Sequence, residues 1–125
     1  MKRFISAALL SLSLFSLSAL AAENVSVDTL AAQISSGKAP LVIDVRTEDE
    51  FLAGHIPGAR LIPHDEMSNY LDSLSAFKDE PILVYCRSGQ RAASAVKTLE
   101  DAGFKKIQVL EGSFPGWQAG GHKVQ

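Results

Sequence analysis

The 125-residue chain holds one cysteine, Cys86, one tryptophan and two methionines, and aromatic residues make up only 7% of it. A single cysteine excludes a disulfide within the chain and also a Cys-x-x-Cys redox pair. Histidine occurs only at positions 55, 64 and 122, with no recognised zinc-ligand spacing, so neither a metal nor a cofactor is expected. The 12 lysines and arginines are scattered along the chain, which gives no basic patch for nucleic acid. Internal repeats are absent. The partners expected of such a chain are small.

Only one long apolar run is present. Lys2 and Arg3 precede a serine-rich apolar stretch from Phe4 onward, and Ala19-Leu20-Ala21 has the small-x-small form of a cleavage site. This pattern predicts a secretory signal peptide over residues 1–21 and a periplasmic location. The rival reading is a retained anchor, because the stretch to Ala22 approaches the ~20 residues a spanning helix needs. Serines at 6, 11, 13, 16 and 18 and the polar switch at Glu23-Asn24 favour cleavage, after which no stable membrane association is expected. Residues 22–125 then form one domain with 10 basic and 14 acidic side chains, a net charge of about −4.

Within that domain, strands and helices are expected to alternate. Val25 to Val27 reads as an edge strand and Asp28 as the cap of a helix over 29–34. Leu41 to Val45 is too continuously apolar to have a wet face, as in a parallel sheet covered on both sides. Thr47 and Glu50 have capping-box spacing for a short helix ending at Gly54. Arg60 to Ile62 forms the next strand, and a helical segment capped by Asp65 or Ser68 places Met67, Leu71 and Leu74 on one face. Ile82 to Tyr85 and Lys105 to Leu110 supply two further strands. Ala92, Ala95, Val96 and Leu99 have the spacing of an amphipathic helix, with Gly103 just past its end. Phe114 and Trp117 in the glycine-rich tail are expected to cover the core. The fold class is therefore α/β, a mostly parallel sheet between helices.

Cys86 falls where the apolar strand stops and Arg87-Ser88-Gly89-Gln90-Arg91 begins. At a strand-to-helix turn the backbone N–H groups lack intrahelical partners and can converge on an anion. The same field, with Arg87 and Arg91, favours an exposed reactive thiolate over an inert buried thiol. Such a cradle favours nucleophilic catalysis through a covalent intermediate. Asp44 and Arg46 read as structural, Arg46 pairing with Glu50 or another carboxylate. His55 reads as a turn residue rather than a base for Cys86, and His64 and His122 as solvent-exposed.

Val42-Ile43-Asp44-Val45-Arg46, Glu50 through Ala59, Cys86 through Arg91, and Glu111-Gly112-Ser113-Phe114-Pro115-Gly116-Trp117 together resemble the rhodanese domain over nearly all of residues 22–125. The resemblance implies a five-stranded rhodanese-like fold flanked by helices on both faces. It also implies a thiosulfate sulfurtransferase in which Cys86 becomes a persulfide and passes its sulfur to a thiophilic acceptor, cyanide or a thiol. Loop amides from Arg87, Ser88, Gly89, Gln90 and Arg91 would hold the persulfide, and Arg87 and Arg91 would bind the small anionic sulfur donor. A related phosphatase branch has a loop one residue longer, with arginine in the sixth position after cysteine, where this chain has Ala92. The alternative is a non-catalytic module that carries a persulfide to a partner protein.

Overall fold

The computed structural model describes residues 22–125, and the expected signal peptide lies outside the described residues. Five strands, β1 (Glu23–Val25), β2 (Leu41–Asp44), β3 (Arg60–Leu61), β4 (Ile82–Tyr85) and β5 (Ile107–Leu110), form one sheet in the order β1-β5-β4-β2-β3. Every pairing is parallel. The helices are α1 (Val27–Ser35), α2 (Glu48–Ala53), α3 (Gln90–Asp101) and α4 (Ser113–Ala119). The expected α/β architecture is the one found.

Alternation along the strands divides the interior into two layers. Ile43, Ile82, Val84 and Ile107 face α3 and the segment carrying Met67 and Leu74, while Val42, Leu83, Tyr85 and Leu110 face α1 and α4. Phe114 and Trp117 belong to the second layer, as their spacing predicted. Burying both faces explains why β2 and β4 read as unbroken apolar runs. Ala92, Ala95, Val96 and Leu99 are the buried stripe of α3, which the periodicity foretold.

Some boundaries differ from expectation. The first strand ends at Val25, and Ser26 rather than Asp28 caps α1, its hydroxyl accepting from Thr29 N at 3.1 Å. Asp28 sits inside the first turn instead, where an acid still complements the helix dipole. The segment after Pro63 is a 3-10 helix, His64–Tyr70, without a side-chain cap; Asp65 and Ser68 lie within it. Gly103 follows the last turn of α3 at φ 93°, a left-handed angle that suits the residue after a helix. No helix among the described residues is long and apolar enough to cross a membrane.

Candidate active site

β4 is central in the sheet, flanked by β2 and β5, and its carboxyl end delivers Cys86 to the point where parallel α/β sheets place their ligands. The pleat sends Tyr85 into the α1–α4 layer and Cys86 into the α3 layer. The chain then turns through Arg87 and Ser88 into Gly89, which precedes α3 at φ 94°. A Cβ at Gly89 would meet nothing within 4 Å, so the backbone angle and not crowding calls for glycine there.

This turn points two amides at the sulfur. Gly89 N donates to Cys86 Sγ at 2.9 Å and Ala92 N at 3.3 Å. Both belong to the start of α3, where N–H groups have no partner within the helix and the dipole is positive. Ala92 was not among the expected cradle residues; its apolar side chain marks only the buried stripe, while its amide does the contacting. The expectation of an exposed thiolate is corrected: Cys86 has 0% exposure, because the loop and the first turn of α3 close over the sulfur. Arg87, Ser88 and Gln90 are the loop's exposed residues. The loop is also fixed from the far side of the sheet, since Phe114 N donates to Cys86 O at 2.9 Å.

Arg91 does not extend free toward a ligand. Its guanidinium forks onto the Glu50 carboxylate, Nη1 to Oε1 at 2.6 Å and Nη2 to Oε2 at 3.0 Å. Glu50 is simultaneously the third residue of α2, where it accepts from Thr47 N at 3.1 Å while Glu50 N donates to Thr47 Oγ1 at 3.2 Å. The capping box read from the sequence is thus present, and its carboxylate reaches across to the cysteine loop. The Arg91 contact, with the Thr47 donors, holds the Glu50 carboxyl at about 2, well below its ordinary value. Of the two arginines expected to bind a donor, Arg87 alone has no carboxylate partner among the described residues.

Arg46 pairs with Asp44 rather than Glu50. Its Nη2 lies 2.6 Å from Asp44 Oδ2 and 2.7 Å from Gly54 O, and its guanidinium lies 4.2 Å from the centre of the Phe114 ring. Tyr85 Oη donates to Asp44 Oδ2 at 2.7 Å and accepts from Ile56 N at 3.1 Å. Burial, then the Asp44 charge, push the Tyr85 hydroxyl upward, so it stays a donor. The two-residue spacing of Asp44 and Arg46 at a strand end satisfies both charges locally, which is why Glu50 remains available to Arg91. Burial pulls Arg46 down, but Asp44 outweighs it and the guanidinium is raised.

None of the three histidines is hydrogen-bonded to Cys86. His55 Nδ1 lies 2.9 Å from Phe51 O, and the ring stacks on Phe51. Its backbone exchanges hydrogen bonds with Gln125 at 3.1 and 2.9 Å, consistent with a turn residue. His64 is half-buried, and His122 is also only partly exposed, with Nε2 2.9 Å from Asp28 Oδ1 and its ring against Trp117. No group of metal-ligating side chains occurs among the described residues.

Beside the loop lies a cavity of about 250 Å³. Arg46, Glu50, Arg87, Phe114, Pro115 and Gln118 are among the residues lining it. Cys86 is not among the residues lining this cavity; Gly89 and Ala92, whose amides contact its sulfur, line a separate cavity of about 610 Å³ with Val84, Tyr85 and Ser113.

The rhodanese-like domain profile matches residues 26–120. The chain is 35% identical over 78 residues to the uncharacterized protein YibN of Escherichia coli, covering 62% of this chain and 54% of YibN. It thus spans about half the length of that relative. Thiosulfate sulfurtransferase 18 of Arabidopsis thaliana is 33% identical over 109 residues, 78% of this chain and 80% of the plant protein. The crystal structure of a rhodanese-related protein from Thermoplasma volcanium superposes with a TM-score of 0.71 at 30% identity, covering 82% of this chain and 97% of that one. Profile, sequence relatives and fold agree with the geometry around Cys86: the chain belongs to the rhodanese-like domain family.

Proposed function

We propose that the protein is a sulfurtransferase that takes a sulfane sulfur from thiosulfate or a similar anionic donor and passes it to a thiophilic acceptor, cyanide or a thiol. The observation that carries this reading is the pair of amides on Cys86 Sγ, at 2.9 and 3.3 Å. Fixed N–H dipoles in a water-poor site stabilise negative charge on sulfur without reorganising during reaction. The sulfurtransferase named among the relatives adds support.

In the first half-reaction the Cys86 thiolate attacks the outer sulfur of thiosulfate. A bond forms between Sγ and that sulfur, the bond to the sulfonate sulfur breaks, and sulfite leaves with the electron pair. The persulfide charge remains beside α3. In the second half-reaction the acceptor attacks the outer sulfur, and the thiolate returns. Arg87 is assigned the anion contact, and the exposed Ser88 and Gln90 frame the loop through which donor and acceptor pass. The reading includes export, with residues 1–21 removed and the domain acting in the periplasm.

Incubation with thiosulfate followed by intact mass spectrometry tests it. A gain of one sulfur atom, abolished in Cys86→Ser, is the expected result, and thiocyanate formed on adding cyanide marks turnover. A protein that takes up sulfur from no donor would overturn the assignment. Uptake without turnover would instead indicate a stoichiometric carrier.

A further inference from the structure

We infer that a cavity at the amino end of the sheet, away from Cys86, binds a small zwitterionic amino acid with an apolar side chain. The observation is a pair of buried oxygens. Among the described residues, the buried side-chain polar atoms without a hydrogen-bond partner are Gln33 Oε1 and Gln108 Oε1. Both glutamines line one cavity of about 400 Å³, beside the start of β2 and the turn that precedes β4. Cys86 follows the other end of β4, so the length of that strand, about 13 Å, lies between the two places.

Each glutamine stands where the pattern calls for an apolar residue. On α1, Gln33 comes three positions after the buried Leu30 and next to Ile34, which packs in the same layer. On β5, Ile107 and Val109 belong to the α3 layer, so alternation turns Gln108 toward α1. A polar group at a core position costs stability unless it is paired, and such orphans call for a cause. The rest of each side chain is only half-buried, and the last torsion of glutamine is broad, so the amides can turn their oxygens into the cavity.

Two carbonyl oxygens call for N–H donors, and an ammonium group supplies several at one point. Exposed Lys38 and Glu80 line the same cavity, and neither has an ion-pair partner among the described residues. Their charges cancel, so a ligand with one charge of each sign matches the lining. Its ammonium pairs with the glutamine oxygens and Glu80, and its carboxylate with Lys38. Phe77 and Leu41, apolar residues of the same lining, suit an aliphatic side chain. At the ~30 Å³ a water molecule occupies in the liquid, the volume takes about 13 such groups, which accommodates one amino acid.

The test titrates the full chain with L-leucine, 3-methylbutylamine and N-acetyl-L-leucine while NMR follows the Gln33 and Gln108 side-chain amides and the Leu41 backbone amide. L-Leucine is expected to saturate with a Kd of about 1 mM, ordinary for so small a ligand. The amine lacks the carboxylate and the acetylated acid lacks the ammonium, so each should bind at least about fivefold more weakly. Gln33→Leu and Gln108→Leu are each expected to abolish the leucine-dependent shift at Leu41 and to leave Tm unchanged or raised, since each removes an unpaired oxygen. No saturable shift with leucine, equal affinity for the three compounds, or binding that survives both substitutions overturns the inference. A Tm that falls in both variants also overturns it, because the oxygens would then have partners within the fold. The site is independent of Cys86, so the sulfurtransferase reading stands whichever result is found.

Discussion

Glu50 of α2 and Arg91 of α3 lie 41 residues apart in sequence and meet through two parallel hydrogen bonds of 2.6 and 3.0 Å. The pair ties the helix that follows β2 to the helix that carries the sulfur-binding amides. Arg91 is one residue before Ala92, whose N–H reaches Sγ, so the fork fixes the orientation of that first turn.

Breaking the fork should therefore cost both stability and rate. Glu50→Gln keeps the capping box, since glutamine serves at that position, but removes the charge. Arg91→Met removes the fork altogether. Each variant is expected to lose about 1 kcal/mol, the scale of a well-formed, half-buried ion pair. That corresponds to a fall in Tm of roughly 4–8 °C. The double variant should lose less than the sum of the two, which a denaturant double-mutant cycle measures directly. Additive losses would show that the two side chains act independently.

The same carboxylate sets a pH dependence. The folded-state value of Glu50 is about 2 against an ordinary 4.5, lowered first by the Arg91 hydrogen bonds and then by the Thr47 donors. Because the folded value is depressed, the contribution is complete above about pH 4.5 and disappears as pH falls toward about 2. Urea midpoints of the parent and Glu50→Gln should differ by a constant amount between about pH 5 and 7 and converge below that window. A difference that survives unchanged at about pH 2.5 would contradict the pairing.

How far the sequence shows this site can be judged from single residues. The capping box of Thr47 and Glu50 was legible, because its spacing is local and its chemistry is confined to one helical turn. The second partner of Glu50 was not, since only the sheet order β5-β4-β2 sets α2 and α3 beside the same strand ends. Cys86 was legible as the turn between a buried strand and an amphipathic helix, but its own burial was not. Two neighbouring arginines suggested an exposed thiol, whereas Arg87 is itself the exposed residue and Arg91 is paired with Glu50. Asp28 lost the cap to Ser26 because both are good capping residues and only the end of β1 at Val25 distinguishes them. Asp44 and Arg46 were read as structural, and the two are found paired with each other.

The buried network around Tyr85 predicts a localised cost. Tyr85→Phe removes the hydroxyl that donates to Asp44 at 2.7 Å and accepts from Ile56 N at 3.1 Å. Ile56 and Asp44 are both fully buried, so the lost partners are not replaced by water. A destabilisation of about 1–3 kcal/mol is expected from the orphaned Ile56 amide, since Asp44 Oδ2 keeps Arg46 as a partner. Hydrogen exchange at the Ile56 amide should accelerate more than at β5 amides. Uniform acceleration would point to global destabilisation alone.

Ser113 and Gly112 should respond in opposite directions. Ser113 is the one non-glycine with positive φ among the described residues, at 56°, and Gly112 precedes it at 81°. Glycine tolerates that left-handed region without a Cβ penalty, so Ser113→Gly is expected to stabilise by about 1 kcal/mol. Gly112→Ala carries the reverse strain at φ 81° and places a Cβ 3.3 Å from Gly116 Cα, so the backbone there must give by a few tenths of an ångström. It should lose more than Ser113→Gly gains, as read from urea midpoints with unchanged m-values.

Anion steering by Arg87 can be isolated from turnover by alkylating Cys86. Iodoacetate and iodoacetamide differ in charge but attack the same sulfur, and the buried position of Cys86 slows both to a similar degree. With Arg87 as the unpaired cation at the loop, the ratio of the iodoacetate rate to the iodoacetamide rate should exceed that for glutathione. Arg87→Ala is expected to lower the ratio about fivefold, the effect of on the order of 1 kcal/mol from one screened contact. The change should shrink in high salt, since an exposed charge acts through a screened field. Arg91→Met removes a guanidinium already neutralised by Glu50 but leaves that carboxylate bare, so it too lowers the ratio, while Arg91→Met combined with Glu50→Gln restores it. An unchanged ratio in Arg87→Ala would assign the anion contact to the loop amides alone.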